Sequence, residues 1–106
     1  MLDRLQNAVQ DVTIATTVAD SEEILFGPYA AATVFIPSGS SITVLNWYAA
    51  SKKGGTYMLA HDWQQVVASQ TVEASKCYMI PVCLFGAPAI KAVGDAAGTV
   101  AISMKG

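Results

Sequence analysis

The sequence predicts an all-β domain, an antiparallel β-sandwich of jelly-roll type with a short N-terminal helical arm. Three observations predict it. Val12, Ile14, Thr16 and Val18 alternate with Thr13, Ala15 and Thr17, the period of two that marks a half-buried strand. Polar turn signals such as Pro37-Ser38-Gly39-Ser40 and Lys52-Lys53-Gly54-Gly55 recur at roughly ten-residue spacing, as in sandwiches and barrels. No helical period of useful length interrupts the strands, which excludes βαβ folds. About nine short strands result, and a number near eight favours the jelly roll.

The elements follow in chain order. Leu2, Leu5 and Val9 stand three and four apart, a helical stripe over Leu2 to Gln10. A helix of that length is marginal alone, so residues 1–11 read as an arm that packs on a neighbouring subunit. Residues 12–106 read as the sandwich. Its first strand starts at Val12 and ends before Asp20-Ser21. Glu22 to Phe26 follows, stopped by Gly27-Pro28. Thr33 to Ile36 is the third strand, and Ile42 to Ala50 is the longest. Lys52-Lys53-Gly54-Gly55 is a hairpin turn with glycine available for positive φ, and Thr56 to Ala60 returns. Val66 to Val72 and Cys77 to Val82 flank the polar turn Glu73-Ala74-Ser75-Lys76. Ala89 to Val93 precedes Gly94-Asp95-Ala96-Ala97-Gly98. The last strand, Thr99 to Met104, aligns Val100, Ile102 and Met104 on one face.

Composition narrows the function. Hydrophobic residues make up 53% of the chain, which excludes intrinsic disorder. The formal net charge is −2, and no basic stripe exists to neutralise phosphates, so no nucleic-acid partner is expected. The longest apolar stretches fall short of the roughly 20 residues of a membrane helix, so no membrane partner is expected either. Charged residues are 13% of the chain, against roughly 25% in ordinary domains. Interface cores are depleted in Lys and Glu in the same way. The composition therefore predicts a surface covered by other chains, with a homo-oligomer, a trimer ahead of a dimer.

Residues with catalytic chemistry are few. His61-Asp62-Trp63 is the one place where an imidazole meets a carboxylate. Adjacent strand residues point to opposite faces, so the two make no catalytic pair. No serine sits in a Gly-x-Ser-x-Gly elbow. Asp20, Glu22 and Glu23 lack the spacing of a calcium loop and read as a solvated strand end. Cys77 and Cys83 match neither a zinc nor a redox spacing and read as small buried apolar residues. The start Met1-Leu2-Asp3-Arg4-Leu5 has no basic region followed by an apolar one, so folding in a reducing cytoplasm is expected. No enzyme activity, cofactor or metal is expected. Trp47-Tyr48 and Tyr57 flank the Lys52–Gly55 turn, and alternation requires one of Trp47 and Tyr48 to face away from the core. Exposed rings around Trp47, Tyr57 and Trp63 are candidate contact residues, together with Leu2, Leu5 and Val9 of the arm.

The stretch FGPYAAATVFIPSGSSITVLNWYA, with GGTY, TVEAS, PVCLFGAPAIKAVG and the terminal AGTVAISMKG, resembles small β-rich virion proteins of tailed bacteriophages. Some of these are capsid decoration or cement proteins. The resemblance covers Ile24 to Gly106 and rests on turns and strand patterns. It implies a structural role on the capsid exterior with the major capsid protein as partner, after synthesis in the bacterial host cytoplasm. No catalytic residues carry over. The alternatives are a carbohydrate- or receptor-binding β-sandwich module, carried by the exposed rings, and a neck, tail or fibre component of the virion.

Overall fold

In the computed structural model, residues 7–27 and 29–106 are described. They form nine strands: β1 Asn7–Ile14, β2 Ile24–Leu25, β3 Ala31–Phe35, β4 Val44–Ala50, β5 Met58–Leu59, β6 Ser69–Thr71, β7 Cys77–Met79, β8 Ala89–Gly94 and β9 Gly98–Lys105. One 3₁₀ turn spans Val82–Leu84. From β2 onward, each strand falls inside or within two residues of a predicted one.

The pairing is nested. β1 pairs with β9, β2 with β8, β3 with β7 and β4 with β6, all antiparallel. The chain is thus one long ribbon folded back on itself, with β5 laid against the far end of β4 at its tip. Two further antiparallel pairings, β3 on β9 and β4 on β8, roll that ribbon into two sheets. The first sheet has the order β1-β9-β3-β7. The second has the order β2-β8-β4-β5, with β6 also on β4. At Ala15 the chain leaves the first sheet and bridges to Val93 of the second.

Alternation places the core between the sheets. Val100, Ile102 and Met104 of β9 and Ala32 and Val34 of β3 point inward from the first sheet. Leu45 and Trp47 of β4 and Ile90 and Ala92 of β8 meet them from the second. Trp47 is 0% exposed, and its indole N–H donates to Gln70 Oε1 at 2.9 Å. That bond removes the cost of burying an unpaired donor.

The helical arm is not what the chain forms over residues 7–11. Those residues belong to β1, where Asn7–Gln10 pair with Lys105–Ile102, so the strand crosses the predicted boundary between residues 11 and 12. Pairing with β9 gives one edge of the strand its backbone partners along its whole length and turns Ala8 and Val12 to the core. An isolated helical turn offers neither gain. Leu2 and Leu5 lie outside the described residues. β1 also ends earlier than the alternation implied. Ser21 Oγ accepts from Ala15 N–H at 3.1 Å and donates to the Thr17 carbonyl at 2.8 Å, which folds residues 16–21 into a loop.

Gly94 sits where the sheets are joined. A Cβ there would lie 2.7 Å from the Ala96 carbonyl oxygen and 2.9 Å from Ile14 Cγ2. Gly94→Ala should lower stability by about 1–3 kcal/mol, as forced overpacking does. Urea unfolding measures it, and an unchanged midpoint would mean that β1 moves freely there. Deleting residues 1–10 strips half of β1 from β9 and should lower the melting temperature, whereas deleting residues 1–6 leaves the paired strand intact. Equal melting of the two truncations would show that Asn7–Gln10 add nothing to the fold.

Candidate functional site

The connection from β5 to β6 projects from the second sheet as a tight turn. Asp62 organises it. Its Oδ1 accepts the N–H groups of Gln64 at 2.8 Å and Val66 at 3.0 Å. Its own N–H donates to the Val66 carbonyl, and its carbonyl accepts from Gln65 N–H. Gln65 takes a φ of 65° to close the turn. This is the local side-chain-to-backbone bonding at which Asp excels. At the apex Trp63 is 87% exposed.

Facing the turn is the 3₁₀ segment after Pro81. Leu84 anchors it in the core while Val82 stays exposed. Between turn and segment lies an open groove of about 670 Å³, lined chiefly by Trp63, Val66, Val67, Pro81, Val82 and Cys83. Cys83 also borders a second groove of about 570 Å³ on the side of Met58 and Leu59. The two grooves make one apolar band around the tip of the ribbon. Exposed apolar patches of this kind mark contacts with proteins, membranes or ligands.

The predicted contact residues that are described, Val9, Trp47, Tyr57 and Trp63, do not gather into one surface. Trp47 is a core residue, so its place among the contacts is corrected. β4 turns Leu45 and Trp47 inward, and Tyr48 is the neighbour that faces away. Tyr57 is half-buried. Its hydroxyl donates to Glu23 Oε2 at 2.5 Å, and Lys91 Nζ stands 4.8 Å from its ring centroid. Val9 lies on β1 and is 72% exposed. Among the described ones, Trp63 is the contact residue that reaches the band. Its partners Val66, Val82 and Met58 escaped the sequence reading. Their signal was the doublets Met58-Leu59 and Val66-Val67, because two adjacent apolar residues on an alternating chain cannot both face inward.

His61, Asp62, Glu22 and Glu23 are bonded within the fold. His61 Nδ1 lies 3.0 Å from the Leu59 carbonyl oxygen, and the Asp62 carboxylate is engaged in the turn. Glu22 accepts from Thr13 N–H at 2.9 Å. Glu23 also accepts from Gly54 N–H at 2.8 Å, fixing the Lys52–Gly55 turn, where Gly54 has the expected positive φ of 69°. Cys77 and Cys83 are free and exposed, which corrects the expectation that they are buried. The register pairs Cys77 with Phe35 on the outward side of the first sheet, while Tyr78 points in. Among the described residues no group of three or more His, Cys, Asp or Glu side chains is placed to hold a metal ion, and no helix is long and apolar enough to cross a membrane. No family model, curated protein or solved structure matches the chain.

Two carboxylates carry a pH dependence. The Tyr57 hydroxyl, then the Gly54 N–H, hold Glu23 below its ordinary value of 4.5. The Thr43 hydroxyl, then the Thr43 and Val44 N–H groups, hold Asp95 below its ordinary 3.8. Both folded-state values are depressed, so their contribution is full above the ordinary values and fades as pH falls through the folded-state ones. Tyr57→Phe should therefore shrink the loss of stability on acidification below 4.5, read as the urea midpoint against pH. An identical acid limb in the variant would contradict the Glu23 assignment.

Proposed function

We propose that this chain is a structural virion protein, a decoration (cement) protein that binds the major capsid protein on the exterior of a tailed-phage head. Trp63, exposed at the lip of an aliphatic groove, is the observation that carries this reading. The nested strand pairing supports a jelly roll, an architecture shared by viral capsid and lectin domains. The protein is made in the bacterial cytoplasm and acts on the assembled head.

The mechanism is thermodynamic. Expansion of a shell creates a new surface, and a protein that binds only that surface stabilises it by mass action. Each copy needs one anchor, and Trp is among the residues enriched at such anchors, worth about 2 kcal/mol or more at the centre of a contact. Many copies on a symmetric lattice then hold together more strongly than one. A carbohydrate site would also use an exposed ring. It would need several free polar groups beside that ring, whereas the groove is lined mainly by Val, Pro and Cys, and the Asp62 carboxylate is already bonded. The lining therefore favours protein over sugar.

Co-sedimentation with expanded, empty heads of the phage that encodes the chain tests the proposal. The wild-type chain should pellet with expanded heads and not with unexpanded ones, and Trp63→Ser should cut binding by about thirtyfold or more, the loss typical of a central anchor. Binding to a glycan panel with no binding to heads would replace the cement role by the carbohydrate one.

A further inference from the structure

The two sheets present very different outer faces. That of the second sheet is covered at its centre, β8, by the chain itself. Lys91 Nζ reaches across it to the Val18 carbonyl at 2.9 Å and stacks on Tyr57, and Ala89, Ile90, Ala92 and Val93 of β8 are buried on both sides. The outer face of the first sheet carries no such cover among the described residues. The registers arrange it in rows. Val9, Ser103, Thr33 and Met79 lie side by side, and the next row is Asp11, Ala101, Phe35 and Cys77. Val9, Phe35 and Met79 are exposed, with small residues between them. Among the described residues the face has one acid, Asp11 of β1, and one base, Lys105 of β9.

We propose that this face packs on the same face of a second copy of the chain, across a two-fold axis lying in the sheet plane. Charge placement argues for a copy as the occupant. Asp11 pairs in register with Ala101, one strand over and four residues before Lys105. Strand spacing of about 4.8 Å and a rise of about 3.4 Å per residue put the two Cα positions about 14 Å apart. A two-fold axis midway between them runs across the strands close to Val9. It sets Asp11 of each copy against Lys105 of the other, so two ion pairs form. The same rotation lays Val9 on its own equivalent and brings Met79 of one copy to Phe35 of the other. A partner of different sequence would need its own matched pair, and a copy has it by symmetry.

The outward positions of the four strands, at about 4.8 Å by about 6.8 Å each, cover about 400 Å² a side, half of the roughly 800 Å² per partner in a standard interface. The dimer is therefore weak in free solution and concentration-dependent. It uses a surface separate from the Trp63 groove and does not rest on the cement reading.

Sedimentation equilibrium of the full chain from about 1 μM to about 1 mM, the range of weak interfaces, tests it. A monomer–dimer equilibrium is expected. Ser103→Arg, at the centre of the face, should leave one chain per particle. Asp11→Lys and Lys105→Asp should each weaken the dimer roughly tenfold through like-charge contacts, and the double exchange should bring it back to within about threefold of the wild type, since it restores both pairs. Circular dichroism of each variant shows that the sheets are intact, and the charge exchange stands as the test if Ser103→Arg does not fold. One chain per particle at every concentration overturns the proposal. So does a trimer, a dimer indifferent to these changes, or a double exchange no tighter than the single variants.

Discussion

β9 lies between β1 and β3, and the first sheet depends on that placement. It supplies main-chain partners on both edges, to all eight residues of β1 and all five of β3. It also sets which way its neighbours face. Val12 sits opposite Val100 and Val34 opposite Ile102, so an inward residue on β9 makes its partners inward. A slip by one residue would turn Val12, Ile14, Ala32 and Val34 to solvent together. β8 does the same in the second sheet, where Ala92 opposite Trp47 leaves room for the indole.

Much of this was legible in the sequence, because strands and turns leave different residues behind. Asp20-Ser21, Pro37–Ser40, Lys52–Gly55 and Glu73–Lys76 each separate two strands. The reading failed where inward positions hold weak apolar residues. β1 turns Ala8 and Gln10 to the inner side ahead of Val12 and Ile14. Neither announces a period of two, while Leu2, Leu5 and Val9 announce a helical one. The partner that decides the matter, β9, lies about ninety residues further on, and no local pattern encodes it.

The surface was legible by residue type and not by direction. Parity alone says that Trp47 and Tyr48 face opposite ways, and Trp47 wins the core because it shares the side of Leu45. Cys77 is small and apolar, yet it stands out of phase with Tyr78, whose larger ring takes the inward position. Trp63 is exposed because the Asp62 turn holds it outside both sheets. The low charge fraction, the plainest compositional signal, maps to two places: the apolar band at the ribbon tip and the bare face of the first sheet. In the proposed role the tip grips the shell and the bare face meets a neighbouring copy, so weak contacts add around the lattice.

The most direct measurement is a cryo-electron-microscopy reconstruction of expanded heads carrying the protein. The proposed role places the turn around Trp63 and the Val82–Leu84 segment against the major capsid protein, with the indole covered. Density that seats the protein on the head by another surface, with Trp63 open to solvent, would contradict it.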